Sequence, residues 1–267
     1  MKKPIGIFDS GVGGLTVYRA IRSAFPEEDL IYFGDTARVP YGPKSPNTII
    51  EYSVQNARFL LQQGIKTMIV ACNTSSSVAI PYLRQLTDIP IIGVIDPGSE
   101  VAVRSSVSGK IGVIGTEGTV RSEAYSKAIK LHKPEAQVFS KACPLFVPLV
   151  EEGWQDHAVA KHVVRDYLFS MLELDIDTLV LGCTHYPLLS HVIQDYMGNS
   201  VKLVDSADAI TLHLRSLLPP EHDGRPGKDN FYVSDNEDKF ASIGGRILNN
   251  PMRNLRRVRL FESWFID

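Results

Sequence analysis

Two cysteines carry most of the chemistry available to this sequence, and each stands just past a short apolar run. Thr178-Leu-Val-Leu-Gly182 leads into Cys183, Thr184 and His185, and Lys66-Thr-Met-Ile-Val-Ala71 leads into Cys72, Asn73, Thr74 and three serines. An apolar run without alternation reads as a strand covered on both faces. In parallel α/β sheets ligands gather beyond the carboxyl ends of the strands, and both thiols would stand there. Asn, Thr and Ser are the preferred helix caps, so a helix is expected to begin within two or three residues of Cys72. A helix N-terminus favours a thiolate, which is expected to lower the Cys72 pKa from about 8.5 toward neutrality.

The elements that must position these thiols recur. Ile5-Gly-Ile-Phe8 matches Ile111-Gly-Val-Ile114, and Asp9-Ser-Gly11 is answered by Gly115-Thr-Glu-Gly118. Pro90-Ile-Ile-Gly-Val-Ile-Asp96 is answered more loosely by Val201-Lys-Leu-Val-Asp205. Order and offset together read as an internal duplication. Two like lobes facing each other would aim Cys72 and Cys183 into one cleft from opposite sides. Strands alternate with helical patterns along the whole chain, including helices over 120–131, 157–172, 188–197 and 207–217. The fold class expected is α/β, with two similar lobes, each a parallel sheet flanked by helices. Asp96-Pro-Gly-Ser99 is the boundary suggested by composition, which puts residues 1–97 and 208–267 in the first lobe and 98–207 in the second. Pro219-Pro-Glu-His-Asp-Gly-Arg-Pro-Gly227 reads as a polar loop.

Other residues fall beyond the same strand ends. Asp9-Ser-Gly-Val-Gly-Gly14 is a glycine-rich turn between a strand and a helix, able to lay backbone N–H groups around a small carboxylate. It lacks the third glycine of a dinucleotide loop and the lysine of a phosphate loop. That Gly13 and Gly14 only permit close packing is an equal reading. Asp35 to Lys44 is a loop shaped by Pro40, Gly42 and Pro43 around Tyr41, and Ser45 and Pro46 open the helix after it. Glu151 and Glu152 follow an apolar run at a turn, and one of them could face the cleft. Cys143 has no mate in the repeat and is read as core.

Composition narrows the function classes. With 267 residues, 44% of them hydrophobic, the chain has material for two ordinary domains. A formal charge of -2 argues against nucleic acid or an anionic membrane as partner, and the basic stretch Arg253 to Arg259 reads as a solvated edge. No run approaches the roughly 18 apolar residues of a membrane helix, and Met1 to Pro4 lead into a strand without a signal core. A cytoplasmic protein is expected. Three cysteines without a C-x-x-C pair offer neither a disulfide framework nor zinc spacing, so neither metal nor cofactor is expected.

Four functional readings compete for the cysteines. They could be structural, or redox partners, or Cys183 and His185 could form a hydrolase pair that leaves Cys72 idle. The fourth uses both: two bases on opposite faces of one carbon are what stereoinversion at a C–H centre requires, and this reading also accounts for the duplication.

Together, the stretches Ile5 to Thr16, Tyr32 to Gly42, Val70 to Thr74, Pro144 to Gly153 and Leu181 to Leu188 resemble the cofactor-independent aspartate/glutamate racemases, glutamate racemase above all. The resemblance covers nearly the whole chain. It implies racemisation of L-glutamate to D-glutamate for bacterial peptidoglycan, without a cofactor, by a homodimer. It further implies Cys72 and Cys183 as the acid/base pair, with Asp9, Glu151 and His185 tuning them. Ser10, Tyr41, Gly42, Asn73, Thr74, Thr184 and His185 would bind substrate. Aspartate racemase, which shares the two-cysteine plan, is the nearest alternative, and a non-catalytic glutamate-binding protein is the alternative from another class.

Overall fold

The computed structural model describes residues 2–217 and 224–260. The first five residues of the part that repeats set the pattern: Ile5–Asp9 form strand β1, buried along its whole length, as an unalternating apolar run should be. Helix α1 (Leu15–Ala24), β2 (Leu30–Gly34), α2 (Pro46–Gln62), β3 (Thr67–Val70), α3 (Asn73–Val78), α4 (Ile80–Leu83) and β4 (Ile91–Gly93) follow. Ser45 caps α2 through the Thr48 N–H, with Pro46 in the first turn where its missing N–H costs nothing. Helix α5 (Ile95–Ser105) then carries the chain across to β5 (Lys110–Gly115), α6 (Glu117–Ser122), α7 (Ala124–His132), β6 (Gln137–Ala142), α8 (Phe146–Glu151), α9 (Ala158–Leu172), β7 (Thr178–Gly182), α10 (Ser190–Met197) and β8 (Lys202–Asp205). The described chain ends with α11 (Ser206–Leu217), β9 (Asp229–Val233), α12 (Glu237–Leu248) and β10 (Leu255–Arg257).

The strands form two wholly parallel sheets, ordered β10-β9-β2-β1-β3-β4 and β6-β5-β7-β8. Apart from the added pair β9 and β10, the two orders are the same. The register repeats as well. Ile5 faces Thr67 on β3 as Ile111 faces Thr178 on β7, so the sequence match between Ile5 and Ile111 is also a match in space. Each half keeps its own apolar core on the outer face of its sheet, around Phe33 and Met68 in one and around Phe146 and Leu179 in the other. A third core runs through both halves, joining Ile5, Ile7 and Ile69 to Ile111, Val113 and Val180. Helices α1 and α5 pack against α11 within it.

Several expectations meet a different structure. Asp96-Pro-Gly-Ser99, read as a boundary, is helical: it forms part of the first two turns of α5, with Pro97 where no intrahelical donor is lost and Gly98 3.4 Å from the Tyr125 ring, measured from the position a Cβ would take. The helix read over 120–131 is two helices, broken at Glu123, which takes a left-handed conformation at φ 56. The basic stretch does lie on an edge strand, β10, with Arg257 3.1 Å from Asp235. Of the polar loop Pro219–Gly227, residues 219–223 lie outside the described part.

Candidate active site

Cys72 is reached from β3 through Ala71 and caps α3, its Sγ accepting the Ser75 N–H at 3.5 Å. The helix begins where expected, but the cap is the Cys72 sulfur and not a serine, threonine or asparagine side chain, and the electrostatic outcome is the opposite of the one expected. Burial pushes the Cys72 thiol up to about 11, with the carboxylate of Asp9 pushing the same way against the Ser75 and Ser10 hydrogen bonds. Desolvating a thiolate outweighs one turn of helix dipole here. The Cys72 thiol is also within reach of Ser10, Sγ to Oγ 3.7 Å.

Cys183 follows β7 in the equivalent place. Its Sγ lies 3.9 Å from Nδ1 of His185, whose Nε2 is 3.2 Å from Oε1 of Glu151 at the end of α8. Burial disfavours the charged imidazole, yet hydrogen bonds to Cys183 and Glu151 overcome it and carry the His185 pKa up to about 10. The same bond holds the Glu151 carboxyl below its ordinary range, against partial burial. Between the two sulfurs lies one cavity of about 510 Å³, lined by residues from both halves.

A sequence model of the family described as Asp/Glu/Hydantoin racemase matches residues 5–214. The chain belongs to this racemase family. It is 52% identical to a glutamate racemase of Geobacter metallireducens, the match covering 97% of each chain. Among solved structures it is similar to glutamate racemase isoform RacE1 from Bacillus anthracis, at 37% identity and TM-score 0.93 over 97% of this chain and 98% of that one. It is equally similar to the glutamate racemase of Francisella tularensis in complex with D-glutamate, at 38% identity and TM-score 0.92 over 98% and 99%. The protein is thus an isomerase, an amino-acid racemase.

In this racemase the residues singled out from sequence come together. Ser10, Tyr41, Gly42, Cys72, Asn73, Thr74, Glu151, Cys183, Thr184 and His185 all line the one cavity. Asp9 does not. It is fully buried behind it, its carboxylate taking the Gly11 N–H at 3.0 Å and the Thr184 hydroxyl at 3.4 Å. The glycine-rich turn thus wraps the protein's own Asp9 with the N–H groups of Gly11 and Gly14, while Ser10 of the same turn lines the cavity. Burial raises the Asp9 pKa, opposed first by the charge of His185. Asp9 thus bears on the surroundings of both thiols, through its charge on Cys72 and its hydrogen bond from Thr184. Close packing is what Gly13 provides: a Cβ there would fall 2.4 Å from His185 Nδ1 and 2.5 Å from Thr184 Oγ1. Tyr41 lines the cavity, but its hydroxyl is bonded to the buried Asp35, itself paired with Arg38, and receives Asn56 Nδ2 at 3.1 Å.

Sequence reading missed Thr116, Glu117, Pro144, Val147 and Pro148 in the lining. Thr116 had a signal, because the repeat makes it the counterpart of Ser10. Its hydroxyl meets that of Thr74 from the other half at 2.8 Å, and Thr119 joins both. Beside them the halves touch backbone to backbone: a Cβ on Gly118 would lie 2.9 Å from the Gly42 carbonyl oxygen. Cys143 is core, as read. Among the described residues no group of three or more His, Cys, Asp or Glu could hold a metal ion, and no helix is long and apolar enough to cross a membrane.

Proposed function

We propose that this racemase interconverts L- and D-glutamate by a two-base mechanism, one thiolate removing the Cα proton while the other thiol delivers a proton to the opposite face. The observation that carries the reading is that Cys72 and Cys183, at equivalent strand ends of two like sheets, line one cavity. The names of its relatives support glutamate as the substrate. The high pKa of Cys72 supports it as a protonated partner in the free enzyme, and His185 stands beside the other sulfur. After one turnover the proton inventory is reversed: Cys183 holds the substrate's proton and Cys72 has given up its own.

A Cα proton beside a carboxylate is very weakly acidic, so the carbanion needs donors fixed in advance. Asn73 supports this role. Its Oδ1 accepts the Tyr125 hydroxyl at 2.7 Å, while its Nδ2 is buried without a partner beside the cavity. The hydroxyls of Ser10, Thr74 and Thr184, and the free N–H groups at the start of α3, are further donors in reach of a small anion. The reading extends to D-glutamate supply for peptidoglycan, and to a cytoplasmic homodimer with neither nucleic acid nor membrane as partner. It also keeps two lobes, 1–97 with 208–267 and 98–207, and sheet membership supports that division.

The test is an NMR tube. L-Glutamate incubated with the protein in deuterated buffer should lose its Cα proton signal and its optical activity together, and aspartate in a parallel tube should react far more slowly. Saturable glutamate binding with an undiminished Cα signal would refute the proposal.

A further inference from the structure

Glu151, on which His185 leans, is the last residue of a six-residue helix, and its grip comes from the other half of the molecule. Helix α12 is anchored in the core it shares with β1 and β2: Phe240, Ile243 and Ile247 are buried, and the Phe240 ring lies 6.0 Å from that of Tyr32. From α12 two cations reach toward α8. Arg246 Nη2 donates to the Glu151 carbonyl at 2.8 Å, and Lys239 Nζ is 4.0 Å from Oε2. The Arg246 guanidinium also covers Gly153, which has φ +74 and where a Cβ would fall 2.2 Å from Nη1, so a glycine is what leaves it room. Glu151 is thus held at its main chain from the first half, while Oε1 is 3.2 Å from His185 in the second.

We propose that Arg246 is a positioning residue for racemisation: by fixing the end of α8 across the seam it aims Glu151 at His185, and so orients the imidazole that faces Cys183. The proposal rests on the two-thiol reading above. A short helix leaves its last carbonyls without partners and has little cooperative stability of its own, so an external charged donor decides where its end lies. Both cations are exposed, and Lys239 is the lesser contributor because its contact with the carboxylate, at 4.0 Å, is long beside the 2.8 Å bond from Arg246. The groups facing His185 are Asp9 from β1, Glu151 from α8 and Cys183. Since burial works against the imidazolium, slackening Glu151 removes part of what keeps its proton.

Arg246→Met keeps the aliphatic stem and removes the donor. Its kcat on glutamate is expected to fall about tenfold with KM little changed, as for a displaced but intact catalytic group. The alkaline limb of its pH–rate profile, and the His185 titration followed by ¹⁵N NMR, should both move toward neutrality. Arg246→Lys, which restores a cationic donor, should recover part of each. A folded Arg246→Met whose alkaline limb and His185 titration match the parent overturns the proposal, even with a lower Tm. Should that variant not fold, Arg246→Lys carries the same measurement: an intermediate shift supports the proposal and an unshifted titration overturns it. A parent enzyme that exchanges no Cα proton of glutamate refutes the two-thiol reading instead, so the two failures are distinguishable.

Discussion

Gly13→Ala tests the site at its tightest point. The new methyl would lie 2.4 Å from His185 Nδ1, 2.5 Å from its Cε1 and 2.5 Å from Thr184 Oγ1. Ordinary contact between such atoms needs about 3.5 Å, so the turn or the segment of residues 184–185 must give way by about 1 Å. Gly13 is not among the glycines with positive φ, so the cost is one of space and not of backbone strain. Overpacking of this kind costs about 1–3 kcal/mol, and each kcal/mol lowers the Tm of a chain this long by roughly 2–4 °C. The effect on rate is larger, because a catalytic group displaced by about 1 Å loses on the order of 10²-fold. Circular dichroism of glutamate read in both directions should show kcat/KM falling equally for L and D, as the equal free energies of enantiomers require. Gly245→Ala, whose methyl would meet nothing closer than the Asn250 carbonyl oxygen at 3.6 Å, is the matched control and should keep parental activity. A folded Gly13→Ala enzyme within about twofold of the parent would refute the claim that this turn fixes His185 and Thr184.

Replacing Cys72 or Cys183 by Ala should each abolish racemisation, whereas Cys143→Ala, in the core beside Phe146, should lose about 1–2 kcal/mol of stability in urea titration and retain its activity. Asn73→Ala removes a buried donor and should lower kcat/KM by about 10²–10³-fold, measured by the same dichroism assay. His185 has its folded pKa raised from 6.5 to about 10, so its stabilising contribution is complete below pH 6.5, declines above it and is gone beyond pH 10. Urea titrations across that window should show the parent losing stability with rising pH more steeply than His185→Gln, and parallel curves would contradict the assignment.

Local composition carried much of the architecture because the central strands are buried on both faces and are mostly apolar, as in Leu30–Gly34 and Thr178–Gly182, unlike the edge strands β6 and β10. The repeat carried the site, since equal strand order puts equal positions at equal strand ends. What local composition missed was decided at a distance. Pro97 and Gly98 look like a turn, yet α5 runs through them because its buried face packs into the core between the sheets. Glu123 breaks a helix without a glycine or proline to mark the place. The helix-terminal effect on Cys72 was visible in sequence, whereas the burial that outweighs it depends on the whole fold. The reach of Arg246 to Glu151 joins positions far apart in the chain and has no local signature at all.

Because the cavity is lined from two like sheets, neither half forms it by itself. On the proposed two-thiol reading a single half would own one of the two cavity thiols, and one thiol removes and returns a proton only on its own side, giving solvent exchange with retention and never inversion. A lone ancestral copy could reach the opposite face only by pairing with itself about a two-fold axis, each subunit lending one sulfur, and both sides of such a site would be bound to stay identical. Joining the copies in one chain lifts that restriction. Ser10 and Thr116 could then diverge, one sulfur could acquire a histidine and a carboxylate while the other kept a serine, and β9, α12 and β10 could be added to one half alone. The unequal surroundings of the two thiols are a freedom that symmetry would have denied.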